Sequence, residues 1–223
     1  MLSITSGIIS PAFLIAEEHL SVKIVLISSD IDGNVYGTVR IGFNCWMKEN
    51  MKATHYADGT VIPNIRAYKG ENEYADSARN AQIFGLLYTW DAAVNNTVAA
   101  DPDEKVQGIC PDGWCVPNAA QFEKMLGIDM KTLRTADYWL TLDGTNTTDF
   151  SMLPAGRYND AHNRCEYLLG NAFFWTSTPY SETEVRTFEA DCHCYKWQEV
   201  LNPKTAGLSV RCVEVERAIP AVE

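Results

Sequence analysis

The N-terminal part of the chain combines a short apolar run with turn-forming residues. Residues 23–28 predict a buried strand, and residues 30–34, Asp-Ile-Asp-Gly-Asn, predict a tight turn. A second strand is expected over residues 35–43. The chain is therefore predicted to open with a β-hairpin.

A helical period follows in residues 72–94. Apolar side chains recur there at intervals typical of one amphipathic helix or two short ones: Ala75, Ala78, Ala81, Phe84, Leu87 and Trp90. A second helix is predicted over Ala119–Leu126, with Asn118 as its N-cap. These two helices are all that we expect.

From about residue 136 the pattern changes to short aromatic and β-branched segments. These predict strands joined by long polar loops, at residues 138–140, 173–177, 185–188 and 208–213. We therefore predict one α+β domain over residues 30–215, with two helices and a twisted antiparallel sheet. Residues 1–29 are predicted to be an arm that can dock the domain to a larger assembly, and residues 216–223 an exposed tail.

The charge of the chain excludes some classes of partner. Its formal net charge is -11, whereas nucleic-acid affinity rests on Lys and Arg that neutralise phosphates.

No apolar run reaches the roughly 18 to 20 residues that span a bilayer, so membrane insertion is not expected. Residues 1–16 are apolar, but they lack Lys or Arg in the first ten positions and contain Pro11. A strand or packing arm is favoured there over a signal peptide.

Two segments suggest metal binding, and each has a simpler interpretation. Asp30, Asp32 and Asn34 match the first half of a calcium loop, but the required Glu is replaced by Ile41, so a hairpin turn is favoured. In Asp191–Cys194 the two sulfurs of a strand would lie on one face and the imidazole on the other. A zinc site there needs further ligands, and ordinary thiols are favoured.

No motif of an enzyme family with a known mechanism is present. The chain has no nucleophile elbow, phosphate loop or metalloprotease helix. None of its four histidines has a carboxylate at a spacing typical of a known catalytic motif: His19, His55, His162 and His193. We therefore predict no catalytic residue, no metal and no cofactor.

An ordered series of short motifs resembles the Fibrobacter succinogenes major paralogous domain family. The resemblance covers about residues 30–213, and the motifs are Asp32–Tyr36, Ile41–Gly42, Trp46–Met51, Tyr56–Thr60, Ile62–Asn64, Gly85–Tyr88 with Trp90, Cys110–Trp114 with Val116–Pro117, Phe150–Pro154 with Gly156, Phe174–Thr178 and Gly207–Val213. It implies a C-type-lectin-like fold in a surface or secreted protein of gut-type bacteria, often attached to adhesins. Related folds serve as receptor-binding proteins of phages, and the family has no established set of catalytic residues.

The cysteines both follow and depart from the family pattern. The resemblance implies that Cys110 and Cys212 could form a disulfide that ties the closing strand to the region before the second helix. The family commonly has His in place of Cys115, and Cys165, Cys192 and Cys194 have no counterpart in it. Seven cysteines leave at least one thiol free or paired between chains in an oxidising compartment.

One enzymatic alternative comes from a second resemblance. Formylglycine-generating oxidases share a lectin-like fold and hold copper with two cysteines near the C-terminus. Cys192 and Cys194 lie in a similar place, but one residue separates them where that family has four. The altered spacing changes how the pair could hold Cu(I), so this alternative is disfavoured.

The predicted function is recognition through residues 157–200. This stretch is rich in residue types that antibodies use for contact. The predicted ligand-binding residues are Arg157, Tyr158, Asn159, Asp160, His162, Asn163, Arg164, Tyr167, Tyr180, Glu182, Glu184, Arg186, His193, Tyr195 and Trp197. Four other tryptophans are expected in the core: Trp46, Trp90, Trp114 and Trp175.

We thus expect a non-enzymatic, extracellular-facing module that binds a glycan or a protein. A bacterial adhesin and a phage receptor-binding protein both fit this expectation, and a structural component of a virion or surface assembly is the alternative. Strings typical of calcium-dependent sugar binding, Glu-Pro-Asn and Trp-Asn-Asp, do not occur. The residue types in 157–197 also match those that adenine-mutating retroelements generate, which would make the extra cysteines products of diversification.

Overall fold

The fold is built mainly from short antiparallel strands. The computed structural model describes residues 27–215 apart from residues 102, 142, 194 and 195. The strands are β1 (Ile27–Ser29), β2 (Val35–Ile41), β3 (Asn44–Met47), β4 (Ile65–Arg66), β5 (Leu87–Tyr88), β6 (Trp114–Cys115), β7 (Arg157–Asn159), β8 (Arg164–Glu166), β9 (Asn171–Pro179), β10 (Glu184–Asp191), β11 (Lys196–Pro203) and β12 (Val213–Glu214). The helices are a 3-10 helix (Asn72–Tyr74), α1 (Ser77–Phe84), α2 (Trp90–Ala93), α3 (Ala119–Glu123) and α4 (Met130–Leu133).

The strands form two main sheets. A five-stranded sheet has the order β1-β2-β3-β12-β6, and a three-stranded sheet has the order β11-β10-β9. Two small two-stranded sheets, the β4–β5 pair and the β7–β8 hairpin, complete the described strands. The described part of the chain is thus mostly antiparallel sheet with few short helices, an arrangement of the α+β type.

The N-terminal hairpin is present, with differences in burial and extent. β1 pairs antiparallel with β2, and the Asp30 carboxylate fixes the turn by accepting from the Asn34 backbone and side chain. Ile27 is 68% exposed, so the prediction of a buried strand is wrong for this residue. Residues 23–26 lie outside the described residues, and β2 ends two residues before the predicted limit. Because β1 falls within residues 27–29, the last part of the predicted arm belongs to this sheet.

The predicted helix over residues 72–94 is divided. It becomes a 3-10 helix, α1 and α2, with β5 between the two α-helices. α1 ends at Gly85, which has φ 84° and lies so close to Asn50 that a Cβ there would be 2.7 Å from the Asn50 Cβ. This close approach requires glycine and breaks the helix. α4 was not predicted, so the expectation of two helices was too low.

The second predicted helix forms as α3. Asn118 is its N-cap, and a capping box joins the side chains and backbones of Asn118 and Gln121. The helix proper ends at Glu123, three residues before the predicted end. The N-cap prediction is confirmed because the local signal and the local structure agree.

The five-stranded sheet separates two apolar cores. Neighbouring residues of a strand point to opposite faces, so Cys45 and Met47 join one core while Trp46 joins the other. Four tryptophans are buried as predicted: Trp46, Trp90, Trp114 and Trp175. A smaller third core lies between α1 and the β7–β8 hairpin, and it includes Phe84, Tyr158 and Cys165.

The C-terminal segment crosses the molecule and is fixed by covalent and polar contacts. Cys212 forms a disulfide with Cys110. The fully buried Arg211 donates from Nη2 to Asn50 Oδ1 at 2.8 Å and from Nη1 to the Phe150 carbonyl at 2.5 Å. Burial lowers the pKa of this guanidinium. Residues 208–213 were predicted as one strand, but only β12 and single bridges form there.

The second half contains hairpins where long loops were expected. A short turn joins β9 to β10, and β10 pairs antiparallel with both β9 and β11. Residues 138–140, predicted as a strand, form a bend in which Tyr138 has φ 72°. None of the helices among the described residues combines the length and apolarity of a bilayer-spanning segment.

Candidate functional site

The β7–β8 hairpin contains the first group of predicted ligand-binding residues. Its strands are joined by the exposed residues 160–163. The Tyr158 backbone exchanges hydrogen bonds with Gly207, at 2.8 and 3.0 Å, and the Cys165 N–H donates to the Lys69 carbonyl at 2.9 Å. Both strands are therefore attached to the body of the protein through their backbones, which leaves the side chains of the tip on the surface.

Glu166 connects the polar side chains of this hairpin. Its carboxylate lies 2.9 Å from His162 Nδ1, accepts from Asn159 Nδ2 at 3.0 Å, and lies 3.5 Å from Arg157 and Arg164 nitrogens. Burial acts to raise its pKa, but the contacts with His162, Asn159 and Arg157 outweigh burial and lower the pKa from 4.5 to about 2. The carboxylate is thus ionised over the physiological range and holds the four side chains in place.

The tip has a second set of contacts. The Tyr158 hydroxyl donates to Asn163 Oδ1 at 2.5 Å, and Arg66 Nη2 lies 3.0 Å from Asp160 Oδ1. The Arg66 guanidinium also lies over the Tyr158 ring, 5.2 Å from its centre. These contacts fix the geometry of the tip before any ligand is bound.

A groove borders each strand of the hairpin. The larger groove, of about 660 Å³, runs between β8 and residues 70–74 and is lined by Arg164, Glu166 and Tyr167 on the hairpin side. The smaller groove, of about 280 Å³, lies between residues 157–161 and residues 202–206. Both volumes are close to those of ligand pockets in proteins.

Five of the predicted residues are accessible on this hairpin and at its base: Asp160, His162, Asn163, Arg164 and Tyr167. Tyr167 is 50% exposed, and the Arg157 guanidinium lies 5.3 Å from the centre of its ring. Polar, cationic and aromatic groups therefore lie side by side between the two grooves.

The other predicted residues lie elsewhere. Tyr180 and Glu182 are exposed in the turn between β9 and β10, where Glu184 begins β10. His193 follows β10 at the opposite end of that sheet, because successive turns of antiparallel strands alternate between ends. Arg186 forms ion pairs with Glu123 and Glu199. The structure therefore does not gather all the predicted residues into one surface, and Tyr195 lies outside the described residues.

Two of the predicted contact residues are buried. Trp197 is 8% exposed and packs against Phe122, Phe174 and Phe188. Tyr158 is 7% exposed and belongs to the third core. Their large rings stabilise the protein interior, so their assignment as surface contacts is corrected.

Several residues of the site were not predicted. Arg66, residues 70–74 and residues 202–206 line the grooves or hold the tip, although they are far from the hairpin in sequence. No local pattern marks them. Glu166 could have been found, since His162 precedes it by four residues and an arginine lies two residues away.

The residues considered as metal ligands either form other contacts or do not lie close to one another. Among the described residues, no group of three or more His, Cys, Asp or Glu side chains is arranged to hold a metal ion. Asp32 accepts hydrogen bonds from Thr54 and His55, and Asp30 accepts from Asn34 and Tyr36. Hydrogen bonds within the protein thus engage both carboxylates considered for calcium, that of Asp30 within the turn and that of Asp32 with residues 54 and 55.

The cysteines considered for zinc or copper are described only in part. Cys115, Cys165 and Cys192 are buried free thiols, and Cys194 lies outside the described residues. Burial raises the pKa of Cys115 to about 11 and also raises that of Cys165, so neither thiol readily becomes a thiolate. This favours ordinary buried thiols at these two positions.

Comparison with known proteins identifies a family. The family model described as Fibrobacter succinogenes major domain matches residues 39–214, which is well over half of the chain. No curated protein and no solved structure matches the chain. The matched range includes the three-stranded sheet, most of the five-stranded sheet, the disulfide and the β7–β8 hairpin, whereas β1 lies before it. The chain therefore belongs to the Fibrobacter succinogenes major domain family.

Proposed function

We propose that this protein is a non-enzymatic recognition module that binds an extracellular glycan or protein through the β7–β8 hairpin and its two grooves. The observation that carries the proposal is the fixed, exposed arrangement of Asp160, His162, Asn163, Arg164 and Tyr167. The module acts at a bacterial surface, as in an adhesin, or on a phage as a receptor-binding protein.

The organisation of the hairpin supports binding. Binding loses free energy when side chains and loops must be ordered, and a surface that is already fixed avoids part of that loss. Here the Glu166 carboxylate and the Arg66–Asp160 ion pair hold the hairpin before a ligand arrives. The exposed Tyr167 offers a large contact area with few rotatable bonds.

Three further properties fit this function. The sheets and few helices are compatible with a C-type-lectin-like fold, in which we place the protein. The Cys110–Cys212 disulfide favours an oxidising, extracellular-facing location. The net charge of -11 disfavours nucleic acids and anionic membranes, and we propose that residues 1–29 contribute to docking in a larger assembly.

The proposal can be tested with labelled protein on gut-bacterial cells and on immobilised glycans and surface proteins. The double variant Arg164→Ala, Tyr167→Ala should weaken saturable binding by roughly 30-fold, as loss of a binding hot spot does. The matched control is Arg40→Ala, Phe43→Ala, which removes an exposed arginine and an exposed aromatic ring from another hairpin. Circular dichroism should show both variants folded.

Two outcomes would contradict the proposal. Equal weakening in the control would mean that the surface is not specific to the β7–β8 hairpin. Absence of binding by folded protein to every tested surface would favour a structural role in an assembly. EDTA should leave binding unchanged, because the carboxylates of Asp30 and Asp32 already accept hydrogen bonds from Asn34 and Thr54.

A further inference from the structure

We infer that the groove between β8 and residues 70–74 binds a basic peptide segment of a partner protein. This inference rests on the proposed recognition function and names the ligand chemistry of one of its grooves. The groove has fixed walls: Cys165 N–H donates to the Lys69 carbonyl at 2.9 Å, and Leu168 N–H donates to the Tyr74 hydroxyl at 3.0 Å. Its volume of about 660 Å³ thus does not depend on a mobile wall.

The charges of the groove favour a cation. Glu71 and Glu73 are exposed in one wall, and within the described part of the chain neither carboxylate has an ion-pair partner. Glu166 in the other wall already has cationic neighbours, and Arg164 contributes a positive charge near it. Glu71 and Glu73 therefore leave negative charge in the groove that a bound cation would neutralise.

The environment of Tyr74 is consistent with this negative potential. Burial raises the pKa of its hydroxyl, and the nearby carboxylates of Glu73 and Glu166 raise it further. The net charge of -11 attracts a basic partner over a longer range as well. An acidic ligand would be repelled by the carboxylates in the groove and, at longer range, by the net charge of the chain.

The groove suits an extended peptide better than a sugar. Arg157 lies over one face of the Tyr167 ring, which leaves less of the ring for stacking on a sugar, and the Tyr74 hydroxyl already accepts from Leu168 N–H. The groove is open along the surface, so the lysine or arginine side chains of an extended peptide can reach Glu71 and Glu73. A peptide with several basic residues separated by small ones offers each carboxylate a cation.

The experiment uses a fluorescent peptide of alternating lysine and glycine and measures its anisotropy with the full chain. The variant Glu71→Gln, Glu73→Gln should weaken binding roughly tenfold through loss of two exposed ion pairs. The matched control Asp101→Asn, Asp103→Asn removes two exposed carboxylates at the same spacing in another loop and should change the Kd less than about twofold. Added salt should weaken binding to the native protein.

Several results would overturn the inference. These are no binding of the peptide, equal weakening in both double variants, or binding of a neutral oligosaccharide in the groove in place of the peptide. Failure of this inference is distinguishable from failure of the proposed function. The variant Arg164→Ala, Tyr167→Ala could lose cell binding while Glu71→Gln, Glu73→Gln keeps it. That result would support recognition by the hairpin and refute the basic peptide as its ligand.

Discussion

Removal of the Cys110–Cys212 disulfide should cause a large loss of stability. The bond joins residues separated by 102 positions in sequence, and both sulfurs lie in the first apolar core. The suitable variant is Cys110→Ala, Cys212→Ala, because two alanines leave neither a free thiol nor a buried hydroxyl behind. The free energy of unfolding should fall mainly because the unfolded chain regains the freedom that the cross-link removes.

The magnitude follows from the length of the closed loop. In the chain-entropy model a loop of about 100 residues corresponds to about 4 to 5 kcal/mol at 25 °C. Alanines in place of the buried sulfurs add a smaller loss of packing. Since single domains have unfolding free energies of about 5 to 15 kcal/mol, the variant should lose a third or more of its stability.

Urea unfolding followed by tryptophan fluorescence provides the measurement. With a slope of about 2 kcal/mol per molar urea, the midpoint should fall by about 2 M. Cys115→Ala is the control, since Cys115 is a buried free thiol, and it should lose only about 1 kcal/mol. A double variant that loses no more stability than this control would refute the reasoning. So would alkylation of both Cys110 and Cys212 in the native, unreduced protein.

Three further substitutions test individual contacts. Because the pKa of Glu166 is lowered to about 2, its stabilising contribution is present above about pH 5 and is lost as the pH falls toward 2. Glu166→Gln should therefore reduce stability by about 2 kcal/mol at pH 7 but little at pH 2, and parallel pH profiles for the two proteins in urea unfolding would contradict this. Arg211→Met should cost about 2 to 4 kcal/mol because Asn50 Oδ1 and the Phe150 carbonyl lose their buried donor, and a thermal scan that shows no loss would be contrary evidence. Gly156→Ala should cost at least about 2 kcal/mol, since φ is 63° and the new Cβ would lie 2.4 Å from a backbone oxygen; unchanged urea unfolding would count against it.

Features with a local cause could be predicted from the sequence. The Asp30–Asn34 turn and the Asn118 N-cap depend on side chains that bond to backbone a few residues away. Such contacts are encoded within a short window of sequence. The burial of the tryptophans in the family motifs was also predictable, because large aromatic rings dominate core burial.

Features with a distant cause could not be predicted. The helical period of residues 72–94 continues through Gly85, but the chain leaves the helix there because Asn50 packs against it. At Trp197 the sequence showed an aromatic residue in a polar stretch, and only the aromatic cluster around Phe122 explains its burial. Tertiary packing overrides the local pattern in both cases.

The candidate site was predictable only in part. The hairpin side chains from Arg157 to Tyr167 were found because their residue types are adjacent in sequence. The opposite walls of the grooves come from residues 70–74 and 202–206, which the topology brings to the hairpin. No sequence period connects such segments, so the shape of the site required the structure.

The attachment of the β7–β8 hairpin through its strands has a consequence for protein engineering. The backbone bonds to Gly207 and Lys69 leave Ala161 and His162 exposed at the tip, away from the cores. Lengthening a surface loop destabilises the folded state only slightly, since each doubling of its length costs only about 0.6 kcal/mol of loop-closure free energy. A peptide epitope inserted between Ala161 and His162 should therefore be displayed on a folded protein that still unfolds near the native midpoint.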